Sequence, residues 1–124
     1  MRGRKGFTLV ELLIVIIIVG VLAAVSVPMM SANLERARGT DGIAQLGAIR
    51  TAERLYHAEH GHYTGTFADL DFDAGDLVGK YYNGEAANLT NTSANNFTAN
   101  IAGIGDAATQ WVHINQDGTI TTSY

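Results

Sequence analysis

The sequence predicts an α+β fold: a long N-terminal helix, transmembrane in its first half, packed by its second half against a small antiparallel β-sheet head. Three observations predict it. From Leu12 to Val25 there is no polar side chain. Beyond Pro28, apolar residues recur at helical spacing as far as Tyr56. After Gly61 the chain breaks into short alternating runs separated by Gly, Asn and Asp, the pattern of strands joined by turns. The layout divides into residues 1–6 as a basic leader, 7–28 as a transmembrane and assembly helix, 29–60 as its amphipathic half, and 61–124 as the head.

Met1 to Gly6 carries Arg2, Arg4 and Lys5 and stops at a small residue. Positive flanks stay on the cytoplasmic side of a membrane, so this reading puts Phe7 near the inner face and the head outside the cytoplasm. From Phe7 to Val27 the only polar side chains are Thr8, Glu11 and Ser26. At about 1.5 Å per residue this stretch is roughly 30 Å long, the thickness of a bilayer's hydrocarbon core. An ordinary secretory signal is the competing reading, with Ala24-Val25-Ser26 near a small-residue cleavage site. The length of the apolar run and the carboxylate inside it argue against that.

Glu11 is that carboxylate. An acid costs up to about 3 kcal/mol at the bilayer centre and less near its edge, whereas each Leu, Ile or Val returns about 0.3 to 0.6. Insertion survives it. Read along the sequence, Glu11 has no local partner, which makes it a functional candidate. Phe7 and Glu11 are four residues apart and share a helical face.

At these residues the chain resembles the type IV pilin superfamily, which includes prepilins and the pseudopilins of type II secretion. Gly6 matches the last leader residue, Phe7 the N-methylated first residue of the mature protein, and Glu11 the acid used in filament assembly. Pro28 matches the proline that follows the apolar half of the long helix and bends or loosens it there. The resemblance implies the pilin fold and a structural role, not an enzyme. It also implies processing by a prepilin peptidase/methyltransferase, homo-polymerisation through the N-terminal helices, and dependence on an inner-membrane assembly platform and a motor ATPase. Before assembly the subunit would be a single-pass protein in the bacterial inner membrane, surrounded by lipid. Afterwards it would lie in a surface pilus serving motility or cell adhesion, or in a periplasmic pseudopilus of type II secretion. In the implied inter-subunit pair, Glu11 neutralises the ammonium that cleavage frees at Phe7. Such a pair at 4 Å and an effective dielectric of 20 is worth about 4 kcal/mol before desolvation is subtracted.

The chain has 124 residues and a net charge of −4. Removing Arg2, Arg4 and Lys5 with the leader leaves 5 basic against 12 acidic residues, or −7. This argues against sequence-independent nucleic-acid binding by an isolated subunit. There is no cysteine, so no disulfide staples the head, unlike the many pilins that carry one near the C-terminus. Burial against neighbouring copies is the alternative source of stability.

The second half of the helix is read from Leu34, Ala37, Ile43, Leu46, Ile49, Ala52, Leu55 and Tyr56, with Glu35, Arg36, Arg38, Arg50, Glu53 and Arg54 on other faces. Gly39, Gly42 and Gly47 each weaken it by about 1 kcal/mol relative to Ala and would permit close packing. Gly61 is the natural C-cap, with His57 and His60 suited to the negative end of the dipole. The helix therefore spans Phe7 to His60. In the head, Gly65 to Gly79 reads as a loop, and Lys80 to Tyr82, Phe97 to Ile101 and Gln110 to Ile114 read as strands. Asp117-Gly118 reads as a hairpin turn into Thr119 to Ser123, and Gly84 to Asn96 as an exposed loop. Trp111, Tyr56, Tyr63, Tyr81 and Tyr82 are assigned to core packing.

Three groups could carry other chemistry. His57, His60 and His62 stand close in sequence, but no thiolate or fixed ligand spacing supports a metal. Asp69, Asp71 and Asp73 begin like a calcium loop, which then fails because Gly75 comes one place late and Lys80 stands where a bidentate Glu is needed. The glycosylation triplets at Asn88, Asn91 and Asn96 are expected by chance in so Asn- and Thr-rich a stretch. No metal or cofactor is assigned. A membrane-tethered periplasmic module binding a metal or ligand through these histidines or acids stands as the alternative of a different class. No nucleophile-base-acid set, phosphate loop or dinucleotide fingerprint is present.

Overall fold

The computed structural model describes residues 6–124, and of residues 91–93 only the backbone. The leader's residues 1–5 lie outside the described residues. The chain is α+β: helix α1 (Leu9–His60) is followed by strands β1 (Asn88–Ser93), β2 (Asn96–Ala102), β3 (Trp111–Asn115) and β4 (Ile120–Thr122). It forms two compact units, residues 1–34 and 35–124.

The first unit is helix alone. Its large apolar side chains from Phe7 to Met30 are each 47% to 84% exposed, so none is covered by the described residues. The helical assignment continues through Pro28. Ser26 and Ser31 turn their hydroxyls back onto the carbonyls of Leu22 and Pro28 (2.8 and 2.9 Å), so neither spends a polar group outward.

In the second unit the rest of α1 packs on a four-stranded antiparallel meander of order β1-β2-β3-β4. Leu46 and Ile49 of the helix meet Phe97, Ala99, Ile101, Val112 and Ile114 of the sheet, with Leu70, Leu77, Tyr82 and Ala107 closing the sides. Alternation in β2 and β3 sends Phe97, Ala99, Ile101, Val112 and Ile114 inward. Gly61 closes the helix as expected, with φ +77° and its N–H bonded to the His57 carbonyl at 2.8 Å. Asp117-Gly118 makes the β3–β4 turn, where Gly118 has φ +89° and Asn115 Oδ1 accepts from the N–H groups of Asp117 and Thr119.

Several expectations are corrected. The buried residues of α1 are Gly39, Gly42, Gln45, Leu46, Ile49 and Glu53; along Gly39, Gly42, Leu46, Ile49 and Glu53 the steps alternate three and four, and Tyr56 is half-buried one step further on. Leu34, Ala37 and Leu55 are exposed. A run of three-residue steps loses 60° each time and drifts off any one face, whereas alternating steps hold it. Lys80 to Tyr82 is not a strand. The carboxylate of Asp41 on α1 takes the N–H groups of Tyr81 and Tyr82 (2.9 and 3.2 Å), leaving single bridges at Val78–Asn83 and Tyr82–Gly103. Conversely, residues 88–93 form edge strand β1, paired through backbone bonds with Leu89 opposite Ala99. Trp111 is 41% exposed, on the outer face, because it alternates with buried Val112.

Candidate functional site

The N-terminal end of α1 is built by Thr8 and Glu11. Thr8 is the N-cap: its Oγ1 accepts from the Glu11 N–H at 3.2 Å, and Glu11 Oε2 accepts from the Thr8 N–H at 2.8 Å and from its hydroxyl at 2.9 Å. This reciprocal arrangement satisfies two donors that a helix start leaves orphaned. The expectation that Glu11 lacks a local partner is thereby overturned. The signal was legible in Thr8-Leu9-Val10-Glu11, a Thr followed three residues later by Glu. Gly6 and Phe7 precede the cap, both exposed, and Phe7 is 84% so. A chain cut after Gly6 would thus begin one residue before a preformed helix cap, with a carboxylate already held at the positive end of the dipole.

The metal candidates do not converge. His57 Nε2 lies 3.1 Å from the Ala94 carbonyl and its ring packs on Tyr63. His60 stacks on Tyr56 with centroids 4.1 Å apart, its Nδ1 at 3.1 Å from the Tyr56 carbonyl, and His62 turns its Nδ1 to the His60 carbonyl. Asp69 accepts from the Thr64 hydroxyl at 2.7 Å, whereas Asp73 is engaged through its N–H by Asp76. Among the described residues no group of three His, Asp or Glu side chains could hold a metal ion.

The helical spacing sets Glu53 on a face other than the apolar one, yet it is fully buried. Its Oε2 accepts from the Thr64 N–H at 3.0 Å, while its Oε1 has no partner. Burial pushes this carboxyl above the ordinary carboxylate range; the Thr64 N–H opposes the shift and the nearby Asp69 charge adds to it. Thr64 carries the connection onward, donating its hydroxyl to Asp69. The loop that leaves α1 is in this way tied to the helix by one buried acid. Glu53 positions the head's first loop.

Among known families, residues 1–27 match the model described as the prokaryotic N-terminal methylation motif. The chain is 43% identical over 70 residues to the type IV wide pilus major component PilA4 of Thermus thermophilus, covering 56% of this chain and 53% of that protein. It is 35% identical over 68 residues to the type II secretion system core protein G of Escherichia coli, covering 55% and 47%. It is 39% identical over 80 residues to the type IV major pilin protein PilE1 of Neisseria gonorrhoeae, covering 63% and 48%. The chain thus spans about half the length of the curated relatives it matches. Its N-terminal methylation motif, these relatives and its helix-on-sheet fold together support the superfamily of type IV pilins and type II secretion pseudopilins.

Proposed function

We propose that the protein is a structural subunit of a type IV pilus-like filament, inserted in the membrane through residues 7–28 and polymerised through its N-terminal helix. In this reading a prepilin peptidase/methyltransferase cuts after Gly6 and methylates Phe7, and an assembly platform and motor ATPase of the inner membrane extract the subunit. The carrying observation is an N-terminal methylation motif on a helix whose apolar half is left uncovered by the described residues. Before assembly lipid covers it, and in the filament neighbouring helices do. Apolar surface gains little on moving from lipid to a lipid-like neighbour, so packing and the Glu11 pair must add to the driving force. Thr8 holds the Glu11 carboxylate in a defined rotamer until an incoming subunit's Phe7 ammonium offers a charged donor in its place. Pro28 loosens the helix at the end of the apolar half.

The relatives include both pilus components and a secretion core protein, so a type II secretion pseudopilin is the second reading. Intact mass and N-terminal sequence of the protein recovered from its native membrane test the shared part. A start at methylated Phe7 supports it. A start at Val27 would make the protein an ordinary exported domain, and an uncut Met1 recovered from cells with active peptidase would reject the processing step.

A further inference from the structure

The outer face of the sheet carries a surface that the filament reading leaves unused. No residue of β1 to β4 is charged, although the chain as a whole has 12 acidic residues. Opposite the core, the register aligns Asn88, Asn100, His113 and Thr121 in one row across all four strands, with Thr98 in the adjoining row. Trp111 ends the face, beside Ala102 and 41% exposed. Its backbone is held by Ser123, since its N–H donates to Ser123 Oγ at 2.9 Å and its carbonyl accepts from the Ser123 N–H at 3.2 Å. Among the described residues no intrachain hydrogen bond engages the side chains of Asn88, Thr98, Asn100, His113 or Thr121. Trp111 and His113 project from the same side of β3, about 7 Å apart, and strands separated by about 4.8 Å set Asn100 and Thr121 on either side of His113.

We infer that this face binds neutral oligosaccharide, with Trp111 stacking on a pyranose ring and Asn100, His113 and Thr121 hydrogen-bonding its hydroxyls. The chemistry selects this occupant over others. A hexose offers an apolar C–H face to an aromatic ring and, around its edge, hydroxyls that both donate and accept, as amides do. A face without Asp, Glu, Lys or Arg costs less to desolvate against a neutral polyol than a charged one. The chain's net negative charge disfavours uronates, sialylated glycans and nucleic acid. The polar row is too hydrophilic for a protein interface core, in which aromatic and aliphatic anchors cluster. One ring and a few solvent-competed hydrogen bonds give a weak site, with a dissociation constant of about 1 mM. The inference gains a second part from the proposed filament. The sheet's inner face packs on the second half of α1, so polymerisation through the helices leaves the outer face toward the medium. Repetition along the fibre then raises avidity by about 100-fold or more.

The test uses the full chain in detergent micelles, with cellohexaose as the neutral probe, oligogalacturonate as the acidic one, and saturation-transfer NMR as the readout. Cellohexaose should receive saturation and oligogalacturonate should not. Trp111→Ala should weaken binding at least about tenfold, Trp111→Phe should retain most of it, and Asn100→Asp should lower it with the fold intact by near-UV circular dichroism. Wild-type binding of neither probe, equal binding of both, or unaltered binding by Trp111→Ala would each overturn the site. Because micellar monomers are used, the site is judged apart from polymerisation. Binding by the monomer with no gain for purified filaments would keep the site and reject the outward placement that the filament reading supplies.

Discussion

The carboxylate of Glu53, fully buried on α1, accepts the backbone N–H of Thr64 at 3.0 Å, and Thr64 in turn donates its hydroxyl to Asp69. One acid thus fixes where the chain goes after the helix ends. Its second oxygen has no partner, and burial and Asp69 both disfavour its charge.

That sets a pH dependence with a definite sign. A carboxyl whose folded pKa is raised keeps its proton longer in the folded than in the unfolded chain. Its contribution is therefore whole below the ordinary value of 4.5 and declines as pH rises through the raised folded value. Glu53→Gln keeps an acceptor for Thr64 and abolishes the titration. Its melting temperature should exceed that of the wild type at about pH 8 and converge with it near about pH 4. A gap between the two proteins that is the same at both pH values would refute the assignment to Glu53.

Glu53→Ala should be worse than Gln at every pH, because it leaves the buried Thr64 N–H without an acceptor. A loss of about 1 to 3 kcal/mol is expected from urea denaturation. If Ala and Gln prove equally stable, the hydrogen bond to Thr64 is not what holds the loop.

The helix glycines separate into two kinds. A Cβ on Gly42 would lie 2.9 to 3.0 Å from the ring of Tyr82, which is fully buried and cannot retreat. Gly47 has nothing within 4 Å. Gly42→Ala should destabilise by about 1 to 2 kcal/mol despite better helix propensity, and Gly47→Ala should stabilise by up to about 1 kcal/mol. Chemical denaturation of the two variants side by side decides it, and equal effects would show that the close approach of helix and Tyr82 is unimportant.

Tyr82 also anchors Gln110 through its hydroxyl, 3.1 Å from Gln110 Oε1 with both groups buried. Tyr82→Phe retains the ring against Gly42 and leaves Gln110 an acceptor short of a donor. A cost of about 1 kcal/mol is expected, and no measurable change in unfolding midpoint would mean that Gln110 finds another donor.

At the other end of the chain, Glu11→Ala should leave membrane insertion and cleavage intact while lowering assembly. Removing a carboxylate from an apolar segment makes insertion easier, so any defect would arise later. Filaments of normal number and length in this variant would reject the role proposed for Glu11. Thr8→Val, which removes the hydroxyl and keeps the backbone N–H, should weaken the cap by about 1 kcal/mol and leave Glu11 free to pair. Assembly in it should exceed that of Glu11→Ala.

The sequence by itself determined the long helix, its end at His60, the cap at Gly61, the uncovered apolar half and the turn at Asp117-Gly118. Each follows from bonds made within a few residues along the chain, or from composition, so local spacing suffices to read it. The Thr8–Glu11 cap is equally local, a Thr and a Glu three residues apart at the helix start, where the carboxylate serves the helix end as well as standing as a charge in an apolar segment. Only the tertiary structure decided that Glu53 is interior, that Lys80 to Tyr82 spends its backbone donors on Asp41, and that the Asn- and Thr-rich stretch at residues 88–93 is a strand. It also decided that Trp111 faces outward. In each of these the partner is distant in sequence: Asp41 reaches 40 residues to Tyr81, and β1 owes its existence to β2. Such pairings are chosen by which backbone donors and apolar faces the collapsed head brings together, and local propensity carries no record of that choice.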